Sequence, residues 1–175
     1  MKTHRLILLT CVIFTMGINN SHAQQLTEIE AMNILSKWEG DWQGNAVMNK
    51  SMWIPKEIEM EGFTTSELIL EGKYLEIFNE NLRSETKMLI RYDQASKSFN
   101  RWEFKSDGST SFWVGKWKKF NQKMTWSFID FSNSGISGKI TERFESDEKI
   151  KAKVFMKDIK GNVLLEIESV ATKTK

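Results

Sequence analysis

Beyond residue 23 this chain contains no histidine and no cysteine. Its two histidines, His4 and His22, and its single cysteine, Cys11, all precede that point. Catalytic devices that pair a serine or a thiol with an imidazole therefore cannot be built from residues 24–175. Zinc sites normally draw their ligands from Cys and His, so we expect neither a metal nor a cofactor.

Proline is almost absent as well, since Pro55 is the only one in the chain. Neither a proline-rich linker nor a low-complexity tail is present, and no internal repeat is found. The 152 residues from Gln24 to Lys175 are enough for one domain with a sizeable core. Without disulfides, that domain must be held by packing and hydrogen bonds alone.

The N-terminal residues have the three parts of a secretory signal peptide. Lys2 and Arg5 supply positive charge, Leu6–Met16 is apolar, and Ser21-His22-Ala23 offers small residues before a cut. The apolar run is shorter than the roughly 18–20 residues that span a bilayer. We therefore expect residues 1–23 to be a signal peptide that is cleaved before Gln24, and the protein to be exported, periplasmic or secreted, without a membrane span.

Net charge excludes another class of partner. Of the 25 basic residues, Lys2 and Arg5 belong to the predicted signal, which leaves 23 against 23 acidic residues. Nucleic-acid-binding domains normally carry a basic excess or a basic stripe, and neither is present. We therefore expect no nucleic acid as a partner.

One helix is predicted at the start of this domain. Thr27 followed by Glu30 forms a capping-box pattern at the start of Leu26–Lys37. Ile29, Met32, Leu35 and Trp38 then recur at helical spacing, and they predict an apolar stripe that packs against the body of the protein.

From Trp42 onward the apolar period changes to two, which is typical of strands. Short polar turns such as Asp107-Gly108 separate the segments. Ten strands are predicted, at Trp42–Asn49, Glu57–Leu70, Tyr74–Asn81, Glu85–Tyr92, Phe99–Lys105, Ser111–Trp117, Lys123–Asp130, Lys139–Phe144, Lys149–Lys157 and Val163–Thr172.

Short connections favour antiparallel neighbours in chain order, and a meander of this length exposes two edges unless it closes. The prediction is therefore an all-β fold over residues 24–175: an antiparallel up-and-down β-barrel of 8–10 strands with a short N-terminal helix. A β-sandwich is the alternative. The outward positions are rich in Glu, Lys and Arg, which does not fit an outer-membrane barrel.

The motifs of this region resemble a bacterial, secreted, lipocalin-like (calycin) family of unknown function. Gly40-Asp41-Trp42 is similar to the Gly-x-Trp start of lipocalins. Gly72-Lys73-Tyr74-Leu75, Tyr92-Asp93, the run Trp102–Gly108 and Gly115-Lys116-Trp117 follow in the order that family shows. The resemblance implies a calycin-type barrel over roughly Leu35–Thr172 and no particular chemistry. The chain departs from haem-binding relatives because it lacks the histidine that would hold iron.

Aromatic and methionine side chains are the first candidates for a binding site, because inward rings and sulfurs can line a pocket for a flat or oily molecule. A filled core remains the alternative. The predicted barrel-lining residues are Met60, Trp102, Phe104, Phe112, Trp126 and Phe128. Trp113 and Trp117 fall on the opposite parity from Phe112, and we expect them outside the barrel, packed under the helix or forming a patch for a partner.

Glu142 is the polar candidate. It shares parity with Ile140 and Phe144, so a regular strand would turn its carboxylate inward. That position is costly unless the carboxylate meets an arginine or a ligand. Glu142 is therefore predicted either to anchor a ligand or to lie at an irregularity that turns it to solvent.

Three functions remain open at this stage. The first is non-catalytic binding of a small apolar or amphipathic ligand in the barrel. The second is an isomerase or cyclase that uses carboxylate or tyrosine acid–base chemistry there. The third is a solid barrel that contacts other proteins. No catalytic residue is assigned, and the sequence does not predict an oligomeric state.

Overall fold

A computed structural model describes residues 26–81 and 84–174 of the chain. The predicted signal peptide and its cleavage site lie outside the described residues. One helix, α1 (Glu28–Leu35), continues into a 3-10 turn at Ser36–Trp38 and precedes ten strands. The strands are β1 (Gly40–Met48), β2 (Ile58–Ile69), β3 (Tyr74–Asn81), β4 (Ser84–Asp93), β5 (Ser98–Lys105), β6 (Thr110–Lys118), β7 (Lys123–Phe128), β8 (Ser137–Ser146), β9 (Lys149–Lys157) and β10 (Val163–Lys173).

Each strand pairs antiparallel with the next, and β1 pairs with β10 to close the barrel. Trp42 lies opposite Lys173 and Met48 opposite Ile167 in the closing pair. Closure removes both sheet edges, which is the physical reason the fold was predicted. The predicted all-β, up-and-down barrel with a short N-terminal helix is confirmed. None of the described helices is long and apolar enough to cross a membrane.

The helix begins where the capping box predicts. The Thr27 hydroxyl accepts a hydrogen bond from the Glu30 backbone N–H at 3.2 Å, and the Glu30 carboxylate accepts one from the Thr27 N–H at 2.8 Å. The predicted apolar stripe is partly wrong, since Ile29 is 71% exposed. Leu35 and Trp38 are buried as predicted, and Ala31 and Ile34 are buried with them, because 3.6 residues per turn place these four positions on one face.

Helix α1 and the 3-10 turn cover one end of the barrel, which we call the closed end. Lys37 forms an ion pair with Asp147 in the β8–β9 turn at 3.3 Å. The Trp38 carbonyl accepts hydrogen bonds from Trp42 Nε1, at 2.8 Å, and from the Ser66 hydroxyl. The Trp38 ring packs edge-on against Phe144, with ring centroids 4.7 Å apart. The hydrophobic core therefore starts beneath the helix.

The strand alternation defines which side chains point inward. In β7 Met124 and Trp126 are both fully buried, whereas Ser127 is exposed. Gly115 of β6 lies directly opposite Trp126. A Cβ atom at Gly115 would overlap the six-membered part of the Trp126 indole, so the absence of a side chain there is what admits the ring.

We expect Gly115→Ala to destabilise the protein, because the Trp126 ring has no free space into which to move. Overpacking of this kind typically costs about 1–3 kcal/mol in the free energy of unfolding. Urea unfolding followed by circular dichroism measures it. Gly44→Ala is the matched control, since a Cβ there would meet Ala171 Cβ at an ordinary 3.7 Å. Equal stability losses in the two variants would contradict the assignment.

Candidate functional site

The barrel interior is hollow above the core of the closed end. A cavity of about 430 Å³ is bounded by inward side chains from β1 to β6 and β8 to β10. Several of these inward positions carry small residues: Gly44 and Ala46 in β1, Gly62 in β2, Ala152 in β9 and Ala171 in β10. Larger side chains there would fill the space, so the cavity is a direct consequence of the sequence.

A buried charge cluster lies on the cavity wall. The Arg101 guanidinium of β5 contacts Glu103 Oε1 of the same strand at 2.5 Å through Nη2. Its Nη1 contacts Glu142 Oε1 of β8 at 3.2 Å. The three side chains are only 10%, 8% and 15% exposed, respectively. Arg101 therefore bridges two strands that two other strands separate in the sheet.

Tryptophan and serine side chains complete the hydrogen bonds of the two carboxylates. Trp126 Nε1 donates to Glu142 Oε2 at 2.8 Å. The Ser111 hydroxyl donates to Glu103 Oε2 at 2.5 Å and accepts from Trp113 Nε1 at 3.0 Å. The Arg101 guanidinium also lies over the Trp126 ring, 5.5 Å from its centroid. Each carboxylate oxygen has one partner, as buried charges require.

The electrostatics of the cluster keep both partners of the Arg101–Glu103 pair charged. Burial alone would raise the pKa of Glu103, but the Arg101 charge and the Ser111 hydrogen bond outweigh it and hold that pKa below its usual range. Burial would lower the pKa of Arg101, and the charges of Glu103 and Glu142 raise it instead. Glu103 is thus an ionised group at neutral pH and not a proton donor.

The cavity has two chemically different walls. Strands β2 to β5 present mostly polar groups to it, beside the apolar Met60, Ile77 and Met88: Thr64, Asn79, Asn81, Ser84, Thr86, Arg101, Glu103 and Lys105. Strands β8 to β10 present mostly apolar groups, with Glu142 and Ser169 as the polar exceptions: Ile140, Ile150, Ala152, Val154, Met156, Leu165, Ile167 and Ala171. A molecule that fills this space therefore meets hydrogen-bonding groups on one side and hydrocarbon on the other.

Four of the predicted site residues lie inside the barrel. Met60 and Glu142 line the cavity. Trp126 is fully buried and is held by Glu142. Phe128 packs against Trp113, with ring centroids 5.2 Å apart, and belongs to the core. Of the two alternatives left open for Glu142, the inward position is observed, and Arg101 supplies the partner that makes it tolerable.

The inward placement predicted for Trp102, Phe104 and Phe112 is wrong. Their neighbours Arg101, Glu103 and Trp113 occupy the inward positions of β5 and β6, and alternation turns the three predicted residues outward. Phe104 is 46% exposed. The Trp102 ring is tilted against Phe112, with ring centroids 5.2 Å apart, and Phe112 stacks on Phe131 at 5.7 Å, which gives an aromatic row on the outer wall.

Trp113 and Trp117 were expected outside the barrel, and both lie inside it. Trp113 is 4% exposed and lines the cavity, whereas Trp117 packs edge-on against Trp38, with ring centroids 6.1 Å apart, at the closed end. Gly115 between them has the same parity and faces Trp126. A small residue opposite a large one is the feature that indicates an inward orientation for Trp113 and Trp117.

The two tyrosines do not border the cavity. Tyr74 faces outward, with its hydroxyl 3.5 Å from Arg91 Nη1. Tyr92 packs against Phe99, with ring centroids 5.1 Å apart, near the closed end, and burial raises the pKa of its phenol. Acid–base chemistry in the cavity would therefore have to rely on carboxylates. Among the described residues, no group of three His, Cys, Asp or Glu side chains is placed to hold a metal ion.

A loop at the open end is organised around one carboxylate. Asp130 accepts hydrogen bonds from the Ser132 and Ser134 hydroxyls at 2.8 and 3.0 Å, and from the Gly135 N–H at 2.8 Å. These donors stabilise the ionised form and lower the pKa of Asp130 to about 2. These contacts hold the β7–β8 connection together.

We expect an NMR titration of the Asp130 carboxyl to show a midpoint near pH 2. Because the folded pKa is lowered, the contribution of these hydrogen bonds is fully present above the ordinary Asp pKa of about 4. It is lost as the pH falls through the folded value. Ser132→Ala should move the midpoint upward, whereas Ser106→Ala in a separate turn should not. A wild-type midpoint near 4 would contradict this loop structure.

A larger depression, of about 900 Å³, lies on the outer face of β1, β2 and β8 to β10. Its rim carries exposed charges that already pair with one another. Lys153 contacts Glu166 at 2.6 Å and Glu168 at 2.9 Å, and Lys151 contacts Glu145 at 2.7 Å. Solvated pairs of this kind are typical of an outer barrel surface, so the interior cavity is the stronger candidate site.

Comparisons with known proteins agree with the barrel fold. No protein-family model matches the chain, and neither does any curated protein sequence. Among solved structures, Rv2717c from M. tuberculosis aligns with 83% of this chain and 98% of its own, at TM-score 0.64 and 10% identity. A protein of unknown function from the DUF3598 family of Nostoc punctiforme aligns with 80% of this chain and 49% of its own, at TM-score 0.56 and 8% identity.

The S-type phycobiliprotein lyase CPES from Guillardia theta is a third similar structure. It aligns with 85% of this chain and 94% of its own length, at TM-score 0.53 and 9% identity. These neighbours are ten-strand barrels of the calycin-like type. At such low identity the likeness establishes the fold alone.

Proposed function

We propose that the barrel is a non-catalytic binding protein that holds one small amphipathic molecule in its interior. The single observation that carries this proposal is the two-walled cavity of about 430 Å³, with a hydrogen-bonded charge cluster on one side and hydrocarbon on the other. Its volume lies within the range of about 300–1,000 Å³ that is typical of small-molecule sites.

The lining residues support binding over a solid barrel. An empty space in a core weakens a protein, because the surrounding atoms lose contacts. Here small residues on β1, β2, β9 and β10 keep the space open, where leucine or isoleucine would close it. A cavity so maintained is best explained by an occupant.

The positions of the two tyrosines and the charge of Glu103 argue against an enzyme that uses tyrosine or carboxylate acid–base chemistry in the cavity. Tyr74 and Tyr92 lie away from the cavity, and the Arg101 charge keeps Glu103 ionised. The fold neighbours are consistent with binding, since they include a phycobiliprotein lyase and proteins without an assigned activity.

We also propose export with cleavage before Gln24, which the intact mass of protein purified from its own host would test.

Native mass spectrometry of the protein from its own host tests the binding proposal. We expect a co-purifying small molecule that is lost in Ala152→Phe, because Ala152 lines the cavity and a phenyl ring there would occupy it. Ala95→Phe, in the exposed β4–β5 turn, is the matched control and should retain the molecule. An empty wild-type protein that also binds no added amphipathic probe would overturn the proposal.

A further inference from the structure

The charges inside the cavity do not balance. Two carboxylates, Glu103 and Glu142, share the single guanidinium of Arg101. Among the described residues that line the cavity, Lys105 is the other cation and Glu61 the other carboxylate. Lys105 lies at the last position of β5, at the open end. Both side chains are exposed to solvent, which screens their charges. In the buried part of the site carboxyl groups therefore outnumber cationic groups by two to one.

Glu142 is the more accessible of the two carboxylates. Its side chain is 15% exposed against 8% for Glu103, and it also lines the cavity. Its two oxygens accept one hydrogen bond each, from Arg101 and from Trp126. A carboxylate oxygen can accept more than one, so Glu142 retains acceptor capacity on the cavity side.

A tryptophan ring lies beside the same cluster. The Trp113 indole lines the cavity, is nearly buried and donates its N–H to the Ser111 hydroxyl at 3.0 Å, which in turn donates to Glu103. The electron-rich faces of such rings attract cations. Trp42 also lines the cavity, but Lys173 Nζ already lies over its ring, 5.5 Å from the centroid. The Trp113 indole and the unbalanced carboxylate therefore favour the same kind of group.

We infer that the molecule held in this cavity is an organic cation, with a protonated or quaternary nitrogen beside Glu142 and an apolar face against the apolar side chains of β9 and β10. This inference rests on the proposed binding function. An anionic head group would face two carboxylates, and a neutral one would leave the excess charge uncompensated.

Three bicyclic probes of nearly equal size test it: 1-naphthylmethylammonium, 1-naphthalenemethanol and 1-naphthoate. Isothermal titration calorimetry on the wild-type protein gives the affinities. The Trp126 indole N–H resonance, assigned with Trp126→Phe, reports whether the probe reaches the cluster. We expect the ammonium to bind about tenfold or more tightly than the alcohol, because only the ammonium makes a charge-assisted contact with Glu142. The naphthoate should bind most weakly.

Glu142→Gln should remove the preference for the ammonium over the alcohol, because it neutralises the excess charge while it keeps the side-chain shape. Glu67→Gln, on the exposed outer face of β2, is the matched control and should leave the preference intact. If Glu142→Gln does not fold, the ranking of the probes on wild-type protein decides the question alone.

The outcomes separate the two proposals. Equal or tighter binding of the alcohol or the naphthoate, or a preference that survives Glu142→Gln, overturns the cation inference and leaves the binding function standing. A complete lack of binding by all three probes, with no shift of the Trp126 resonance and no co-purified molecule, overturns both.

Discussion

Arg101→Met is expected to destabilise the protein by about 3–5 kcal/mol, which is the usual effect of removing one partner from a buried ion pair. Arg101 is 9% exposed, and its guanidinium contacts both Glu103 and Glu142. Methionine keeps much of the volume and removes the charge. Glu103 and Glu142 would then remain in the barrel interior without a directly contacting cation. Urea unfolding at pH 7 measures the loss.

The pH dependence distinguishes this mechanism from a packing defect. In the wild-type protein the pKa of Glu103 is lowered, so its contribution to stability is present above the unfolded Glu pKa of about 4.3 and is lost as the pH falls through the folded value. Without Arg101 the burial that raises the pKa of Glu103 is opposed only by the Ser111 hydrogen bond, the Lys105 charge and the Trp113 hydrogen bond, each of which affects the pKa less than burial does. The variant should then lose stability as the pH rises above about 4.3.

The stability difference between wild type and Arg101→Met should therefore be smallest near pH 3–4 and should grow toward neutrality. Arg143→Met is the matched control, because Arg143 is exposed on the outer face of the same strand as Glu142. Surface substitutions of that kind normally change stability by less than about 0.5 kcal/mol. A difference for Arg101→Met that does not vary with pH would refute the role given to its charge.

The sequence shows that Glu142 points inward only if β8 is regular, and it does not identify the partner of Glu142. Parity with Ile140 and Phe144 fixes the direction of the carboxylate once β8 is regular. Arg101 lies 41 residues earlier in the chain, and their contact depends on how far each strand is staggered in the closed barrel. Alternation along one strand carries no information about that stagger.

The strands whose faces differ clearly in polarity could be assigned from sequence. In β7 the buried Met124 and Trp126 alternate with Lys123, Thr125 and Ser127, and the correct face follows at once. In β5 the rule that aromatic residues point inward failed, because Arg101 and Glu103 are satisfied by one another inside while Trp102 and Phe104 lie outside. Binary patterning assigns a face by transfer free energy and cannot anticipate an internal ion pair.

Trp38→Ala should cause the second large loss of stability, because the Trp38 ring seals the closed end of the barrel beneath helix α1. It is 7% exposed and packs edge-on against Phe144 and Trp117, with ring centroids 4.7 and 6.1 Å away. Truncation of a buried tryptophan to alanine typically costs about 3–5 kcal/mol, in lost burial and in the cavity left behind. The Trp38 carbonyl that binds Trp42 and Ser66 is retained in the variant, so the measured loss belongs to the ring.

Trp53→Ala is the control for Trp38→Ala, since it makes the same chemical change at a tryptophan that is 49% exposed in the β1–β2 connection. We expect its free energy of unfolding to stay within about 0.5 kcal/mol of wild type. Hydrogen exchange locates the effect: the Trp38 variant should lose amide protection first in the strands at the closed end, around Leu75 and Ile90, which are buried there. Loss of protection confined to helix α1, with the strands unchanged, would mean that the helix only covers the barrel and that the tryptophan ring is not what seals it.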